Sequence, residues 1–528
     1  MSGHASHGAP ATRPPEASGV AGGPVAVAAI DLGATSGRVM LGVVRAGRIE
    51  LVQARRFDNV LAERDGHLAW DIDALWAEIQ QGLAEAHELA IGRGLTGLSS
   101  IGVDSWAVDY VLVGPDDTGA DGQPLLGSGA RVGEAIAYRD SRTDGVADQV
   151  AGVVSRARQF ELTGIAQQPF NTIYQLAADD RPRSAPPGTQ ALLLPDYIGY
   201  LLTGQRRTET TNASTTGLVA ARTGDWAPEL LAAAGVESTL FAPFIDPGDQ
   251  LGTLRPDLAA QLAIGEVPVT AVGSHDTASA VLAAPASMGP AEGPVAYISS
   301  GTWSLIGLEL EAPIATEEAR VAGFTNEGGV AGTYRFLKNV AGMWLVGESI
   351  RQWRQEGRDV DLEQLLEQAA LAAASRFRID PTDPQFLPPG QMADRVLAAT
   401  SALDGSGDRP DSPAEVVRCL LESLAETYRE ELTAACRLAG SALPRRLHVV
   451  GGGSRNALLN QLTADALGIP VVAGPMEATA LGNVALQARA LGAIPGERGA
   501  IRELVRASVE PEEFVPSDHA LRPDPAGT

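Results

Sequence analysis

The sequence predicts an α/β protein built of two similar lobes, and three observations carry that expectation. The chain has 528 residues, whereas a single hydrophobic core stops growing at roughly 250–300 residues. Helical and strand-like patterns alternate along most of it. Each half also opens on a strand, a glycine-containing turn and a second strand, "VAVAAIDLGATSGRVMLGVV" and "GPVAYISSGTWSLIGLELEA". One architecture used twice produces that pattern, with a boundary around Ala284–Gly293.

The opening 23 residues are Gly, Ala, Pro and Ser with two histidines, a composition that reads as a disordered tail. From Val25 an apolar strand, a Gly-rich turn, a second strand ending near Val44, the turn Arg45-Ala46-Gly47 and a third strand predict an antiparallel meander. "DIDALWAEIQQGLAEAHELA" has helical spacing, and "LSSIGVDSWAVDYVLVG" reads as a buried strand, a polar break and another strand. Residues 135–223, with "LLLPDYIGYLLTG" and "TETTNASTTGL", read as a helical, loop-rich insertion shaped for a ligand. The apolar run Val269–Val272 stops at Gly273, and a helix of small residues is expected after Ser274. The second meander gains a further strand near Thr333–Leu337. "SPAEVVRCLLESLAETYREELTAACRLAG" then predicts a long amphipathic helix, and "RRLHVVGGGSRNALLNQLTADALG" a strand, three glycines and a helix. The expected divisions are a tail 1–23, a lobe 24–284, a lobe 293–492 and a C-terminal extension 493–528.

Composition narrows the function. A formal net charge of −25 argues against a surface that grips nucleic acid or an anionic membrane. Lys338 is the only lysine, which removes a P-loop, a protein-kinase lysine and a pyridoxal-phosphate site together. Phosphate would have to be held by backbone amides, a divalent metal or arginines. Cys419 and Cys436 lie in the long helical pattern, with no C-x-x-C, and read as buried apolar residues of a reducing compartment. The opening lacks a charged segment followed by an apolar core, and no run reaches the roughly 18 apolar residues of a membrane span. A cytoplasmic location is expected.

Four pieces can carry chemistry. In "AIDLGATSGRV" an acidic residue, Asp31, ends a strand, and the turn after it exposes several amides able to bind phosphate, with Arg38 beside them. The bland alternative is a hairpin whose glycines take positive φ. "ISSGTWSLIG" offers the same chemistry around Thr302, and the glycines at 451–453 could let a phosphate or a flat ring lie against backbone. In "GSHDTASAV", Ser274, Asp276 and Thr277 suit a helix cap. Asp276 could equally take the proton of an attacking hydroxyl, flanked by the hydrogen-bonding groups of His275 and Thr277. Trp106, Tyr110, Phe170 and Tyr174 could stack on a sugar face or simply pack in the core; Asn171 and Gln175 could line the same pocket.

Those strings, with "IGVDSWAVDYVL", "YRDSRTDG", "GIAQQPFNTIYQL", "GFTNEGG", "LKNVAGMWL" and "EATALGN", resemble the FGGY family of carbohydrate kinases over about Val25 to Gly492. The resemblance implies two RNase-H-like lobes of the hexokinase, actin and seventy-kilodalton chaperone type with a cleft between them. It implies sugar mainly on the first lobe and ATP with Mg²⁺ mainly on the second. It makes Asp276 the general base and places Ala107, His275, Thr277 and Asn339 on the sugar. Ala34, Thr35, Ser36, Gly37 and Arg38 would form the first phosphate loop, Thr302 the second, and Gly452 with Gly453 the adenosine-side loop; Asp31 is the candidate metal partner. The implied reaction is phosphorylation of the 1-hydroxyl of L-rhamnulose, with L-fuculose, xylulose or another polyol as alternative acceptors and a non-catalytic sugar or nucleotide sensor as the remaining one. Ala107, Gly217 and Gly347 stand where relatives of the family usually carry glycine, a larger polar residue and a side chain, respectively.

Overall fold

The computed structural model describes residues 23–119, 122–287, 293–404 and 409–517. All of the expected tail but Gly23 lies outside them, as do residues 518–528 of the extension. Two mixed sheets organise the chain. The first is formed by β1 (Val25–Leu32), β2 (Ser36–Arg45), β3 (Arg48–Asp58), β4 (Ser100–Ser105), β5 (Gln250–Thr253) and β6 (Pro268–Thr270) in the order β5-β6-β4-β1-β2-β3. The second is formed by β7 (Val295–Ser300), β8 (Ser304–Leu310), β9 (Thr325–Gly328), β10 (Tyr334–Val340), β11 (Leu447–Val450), β12 (Val471–Ala473) and β13 (Glu512–Phe514) in the order β9-β10-β8-β7-β11-β12-β13.

The two sheets share a plan. In each, an antiparallel meander (β1-β2-β3; β7-β8-β10) is extended on its first strand by two parallel strands (β4 and β6; β11 and β12). The repeat expected from the two hairpins is therefore present at the level of strand order.

β1 is an unbroken apolar run because both its faces are covered. Ala26, Ala28 and Ile30 pack with Leu75, Ile79 and Leu83 of helix α1 (Ile72–Gly92), while Val27 and Ala29 pack with residues from near the end of the chain. Those residues belong to two helices of the second half. Helix α2 (Asp276–Leu282) follows β6 and carries the "HDT" segment at its start. The second sheet is backed by α3 (Pro413–Ala439), which starts on Pro413 behind an Ser412 cap and stops at Gly440, φ +63°. Cys419 and Cys436 lie buried on α3 as free thiols. Helix α4 (Ala457–Leu467) follows the three glycines.

Helix α5 (Ala478–Ala490) joins the halves. It lies so close to α2 that a Cβ at Gly482 would sit 1.9 Å from the Ser279 carbonyl oxygen. Val484 meets Gly42 of β2, and Gln487 Nε2 donates to the Ala28 carbonyl of β1 at 3.0 Å. Of the expected extension, α6 (Arg498–Ser508) packs Ile501, Leu504 and Val505 into this same core, and β13 pairs antiparallel with β12.

Candidate active site

Asp276 is the first residue of α2, and His275 before it makes no side-chain capping bond. Ser274 does not cap either: its hydroxyl and amide both go to Glu209 Oε2, at 2.6 and 3.1 Å. The Asp276 carboxylate accepts from Thr277 Oγ1 at 3.0 Å and keeps 32% of its side chain exposed. A carboxylate that is not the helix N-cap and is not sealed in the core is free to act. Burial among protein, then the charge of Asp31, push its pKa up to about 7. That value suits a group that must accept a proton near neutrality.

His275 connects this carboxylate to the second half. Its Nδ1 lies 3.0 Å from Arg335 Nη2 on β10, and its Nε2 lies 3.4 Å from Asp276 Oδ1. Burial, then the Arg335 charge, hold the imidazole pKa well below its ordinary value, so the ring is neutral. A neutral ring facing a guanidinium through Nδ1 must accept there, which leaves the proton on Nε2 toward Asp276. Arg335, fully buried, also pairs with Glu327 of β9 at 3.0 Å and donates to the Gly328 carbonyl.

At the end of β1, Asp31 lies opposite Arg38 on β2 and opposite Asp104 on β4. Arg38 donates to Asp31 Oδ2 at 2.9 Å and also pairs with Glu477, the residue before α5. Asp104 is fully buried; Oδ2 accepts from Asn483 of α5 at 2.6 Å, and Oδ1 has no partner among the described residues. Burial, then the charge of Asp31, raise its pKa well above the carboxylate range. Two neighbouring carboxylates, one with an orphaned oxygen, suit a hard divalent cation, whose remaining ligands would be waters and phosphate oxygens.

The first turn places Ala34 and Ser36 half-buried and Thr35 exposed. Its glycines are not there for positive φ, which neither adopts. They leave room for neighbours instead: a Cβ at Gly37 would lie 2.3 Å from the Phe57 ring, and one at Gly33 would lie 3.0 Å from the Ser36 carbonyl oxygen. The second turn leaves Gly301, Thr302 and Trp303 exposed. The glycine run lies directly against it: a Cβ would come within 2.8 Å of the Ser300 carbonyl at Gly451 and 1.9 Å of Ser300 Oγ at Gly453, whereas Gly452 faces open space.

The nominated residues thus fall into two groups. Asp31, Ala34 to Arg38, His275, Asp276 and Thr277 gather at the end of the first sheet; Thr302, Gly452 and Gly453 gather at the end of the second. Asn339 is exposed on β10 opposite Leu305, four residues beyond Arg335 and near the Thr302 turn. Lys338 pairs with Glu431 at 2.6 Å. Ala107 is half-buried beside Val108, whose φ of +72° is a strained backbone for a β-branched residue. Val108 holds that shape because its carbonyl accepts from Thr172 and Gln175.

Trp106, Tyr110 and Tyr174 are core residues, and Asn171 and Gln175 spend their polar groups on loop backbone and on Arg142. Phe170 alone of the four aromatics is half-exposed, edge-on to Tyr138 at 5.9 Å. Sequence reasoning missed Asp104, Glu209, Glu327 and Arg335. For Asp104 a signal existed: "IGVDS" and "AIDLG" are two apolar strands, each closing on an aspartate. The other three are distant in sequence from what they hold.

Residues 26–283 match the N-terminal domain, and residues 296–491 the C-terminal domain, of the FGGY family of carbohydrate kinases. The chain belongs to this family. A rhamnulokinase of Bacteroides thetaiotaomicron is 40% identical over 494 residues, 93% of this chain and 96% of its own length. A rhamnulokinase of Bacillus subtilis is 40% identical over 93% of this chain and 95% of its own. In fold, this carbohydrate kinase resembles xylulose kinase from Rhodospirillum rubrum (TM-score 0.72, 22% identity, covering 94% of this chain and 95% of that one). Plasmodium falciparum glycerol kinase with ADP gives a TM-score of 0.71 at 15% identity, covering 93% and 94%. The two-lobed α/β fold expected from the sequence is thereby established. Two departures from the family pattern have structural readings. Gly217 has φ +73°, which favours glycine over a larger residue, and Gly347 faces open space where a side chain would fit. No helix among the described residues is long and apolar enough to cross a membrane.

Proposed function

We propose that this carbohydrate kinase transfers the γ-phosphate of ATP to the 1-hydroxyl of L-rhamnulose, with Asp276 as the general base. The observation that carries the reading is Asp276 itself: a partly open carboxylate with a pKa raised to about 7, beside a neutral imidazole and electrostatically coupled to Asp31. The likeness to rhamnulokinases selects the sugar. Asp276 takes the hydroxyl proton as the sugar oxygen bonds to phosphorus, and the bond to the bridging oxygen breaks with its electron pair going to ADP. Such transition states are loose, so positioning and charge stabilisation outweigh base strength.

In this reading His275 and Thr277 orient the ketose, with Ala107 and Asn339 completing its contacts. Residues 34–38 and Thr302 cradle the phosphates, while Gly452 and Gly453 flank the adenosine. Asp31, with Asp104 beside it, would hold Mg²⁺ through water, supplying charge neutralisation on the phosphates. Residues 24–284 act as the sugar lobe and 293–492 as the nucleotide lobe of a cytoplasmic enzyme. ADP release measured side by side with L-rhamnulose, L-fuculose and D-xylulose tests the reading. The highest kcat/KM is expected with L-rhamnulose; a higher value with another sugar replaces the acceptor, and no release with any sugar overturns the activity.

A further inference from the structure

Away from the cleft, a cavity of about 180 Å³ opens where the segment joining the two halves meets the second sheet. Its wall includes Ser287 of that segment, Arg446 and His448 on the approach to and along β11, Val472 of β12, Arg506 of α6 and Glu513 of β13. None of these belongs to the groups assigned above to sugar, phosphate or adenosine.

Three features point to a ligand. His448, 4% exposed, forms part of the wall, and its Nδ1 has no hydrogen-bond partner among the described residues. Two guanidinium groups face one carboxylate, so the wall is net positive in a chain of formal charge −25. The single acid does not close the site, because Arg446 and Glu513 stand 3.8 Å apart with each about half exposed. Burial, then the charges of Arg502 and Arg446, push the His448 pKa down to about 3, in keeping with a positive potential around a neutral ring.

We propose that this cavity binds a small phosphate-type oxyanion, held by Arg446 and Arg506. Guanidinium groups suit a tetrahedral oxyanion because they offer paired donors in one plane. Arg506 Nη1 already donates to Ser287 Oγ at 2.9 Å, so a bound anion ties the connecting segment to α6 and β11. That segment leaves α2 at Leu282, six residues after Asp276, and β11 runs directly into the glycines at 451–453. The site therefore touches the covalent continuation of both groups of cleft residues.

The carrier is either free phosphate or a phosphorylated sugar, and one experiment separates them. The full-length protein is saturated with Mg²⁺ and an unreactive ATP analogue to occupy the cleft, and labelled inorganic phosphate is titrated by equilibrium dialysis against chloride at equal ionic strength. One saturable phosphate per chain is expected, and the Arg446→Gln, Arg506→Gln double variant is expected to weaken it by about tenfold or more through loss of charged hydrogen bonds. Both residues lie away from the cleft, so the double variant should retain kcat without added phosphate and serves as its own folding control. Displacement by a ketose 1-phosphate at lower concentration assigns the carrier as a sugar phosphate, and failure to displace assigns free phosphate. No saturable binding above chloride, or equal affinity in the double variant, overturns the site. Because binding is read directly, loss of this proposal leaves the proposed kinase activity standing, and the reverse also holds.

Discussion

The two sheets carry the same strand plan and end in opposite chemistry. At the cleft end of the first, β1 and β4 close on Asp31 and Asp104 as register partners, with Arg38 across from them. At the corresponding end of the second, β7 closes on Ser299 and Ser300, and β11 runs on from Val450 into three glycines, of which Gly451 and Gly453 press against Ser300. One copy supplies charge, and the other supplies room. A repeated scaffold can therefore present different chemistry on its two copies without changing its topology, because only residues at and just past the strand ends need to differ.

The sharpest way to break this contrast is at the charged end. Asp276→Asn should lower kcat by about 10²–10⁴-fold, the span of a general base, while binding of an ATP analogue stays at the wild-type value. The wild-type enzyme should lose kcat/KM as pH falls through about 7, where Asp276 takes up a proton. The same raised pKa works against stability: the carboxyl costs the fold nothing below the ordinary carboxylate range and progressively more as pH rises through about 7. Melting scans should therefore show Asp276→Asn gaining on wild type at pH 8 but not at pH 4.

Arg335→Gln comes next. Removing a buried cation strands Glu327 and should cost about 3–5 kcal/mol in denaturant unfolding. Because the Arg335 charge also holds the Asp276 pKa down, the acidic limb of kcat/KM should move to higher pH in whatever fraction folds, a shift that packing loss alone would not produce.

At the roomy end, Gly453→Ala drives a methyl into Ser300 Oγ and Cβ. Overpacking of this kind costs about 1–3 kcal/mol, expected here mainly as a higher KM for ATP. Adding Ser300→Gly should restore much of it, and additive losses in that double-mutant cycle would sever the link between turn and glycine run. The smallest effect is expected at Gly347→Gln, in the helix Trp344–Gln355 where an added Cβ meets open space, with a gain of about 0.5–1 kcal/mol from helix propensity alone.

The strand plan was readable because its signals are local. The turn Arg45-Ala46-Gly47 shows positive φ at Ala46 and Gly47, and the apolar run of β1 reflects cover on both faces. The residues nominated for the cleft were readable as clusters of hydroxyls, glycines and carboxylates next to strand ends. What could not be read is what holds them. Glu209 grips the Ser274 backbone from 65 positions away, and Arg335 reaches His275 from 60; no spacing rule spans such distances. The reason for Gly37 was also hidden, since the Phe57 ring that excludes a side chain belongs to another strand.

Helix α5 has a consequence for biogenesis. It covers one face of the first sheet, whose β1, β2 and β4 are made long before it, and it contributes Asn483 and Gln487 to that sheet's polar contacts. That layer thus waits, half bare, for a cover encoded more than four hundred codons downstream of β1. A nascent or prematurely terminated polypeptide exposes Val27, Ala29 and Met40 to whatever holdase or protease is nearby, so synthesis of the last fifth of the chain decides the fate of the first.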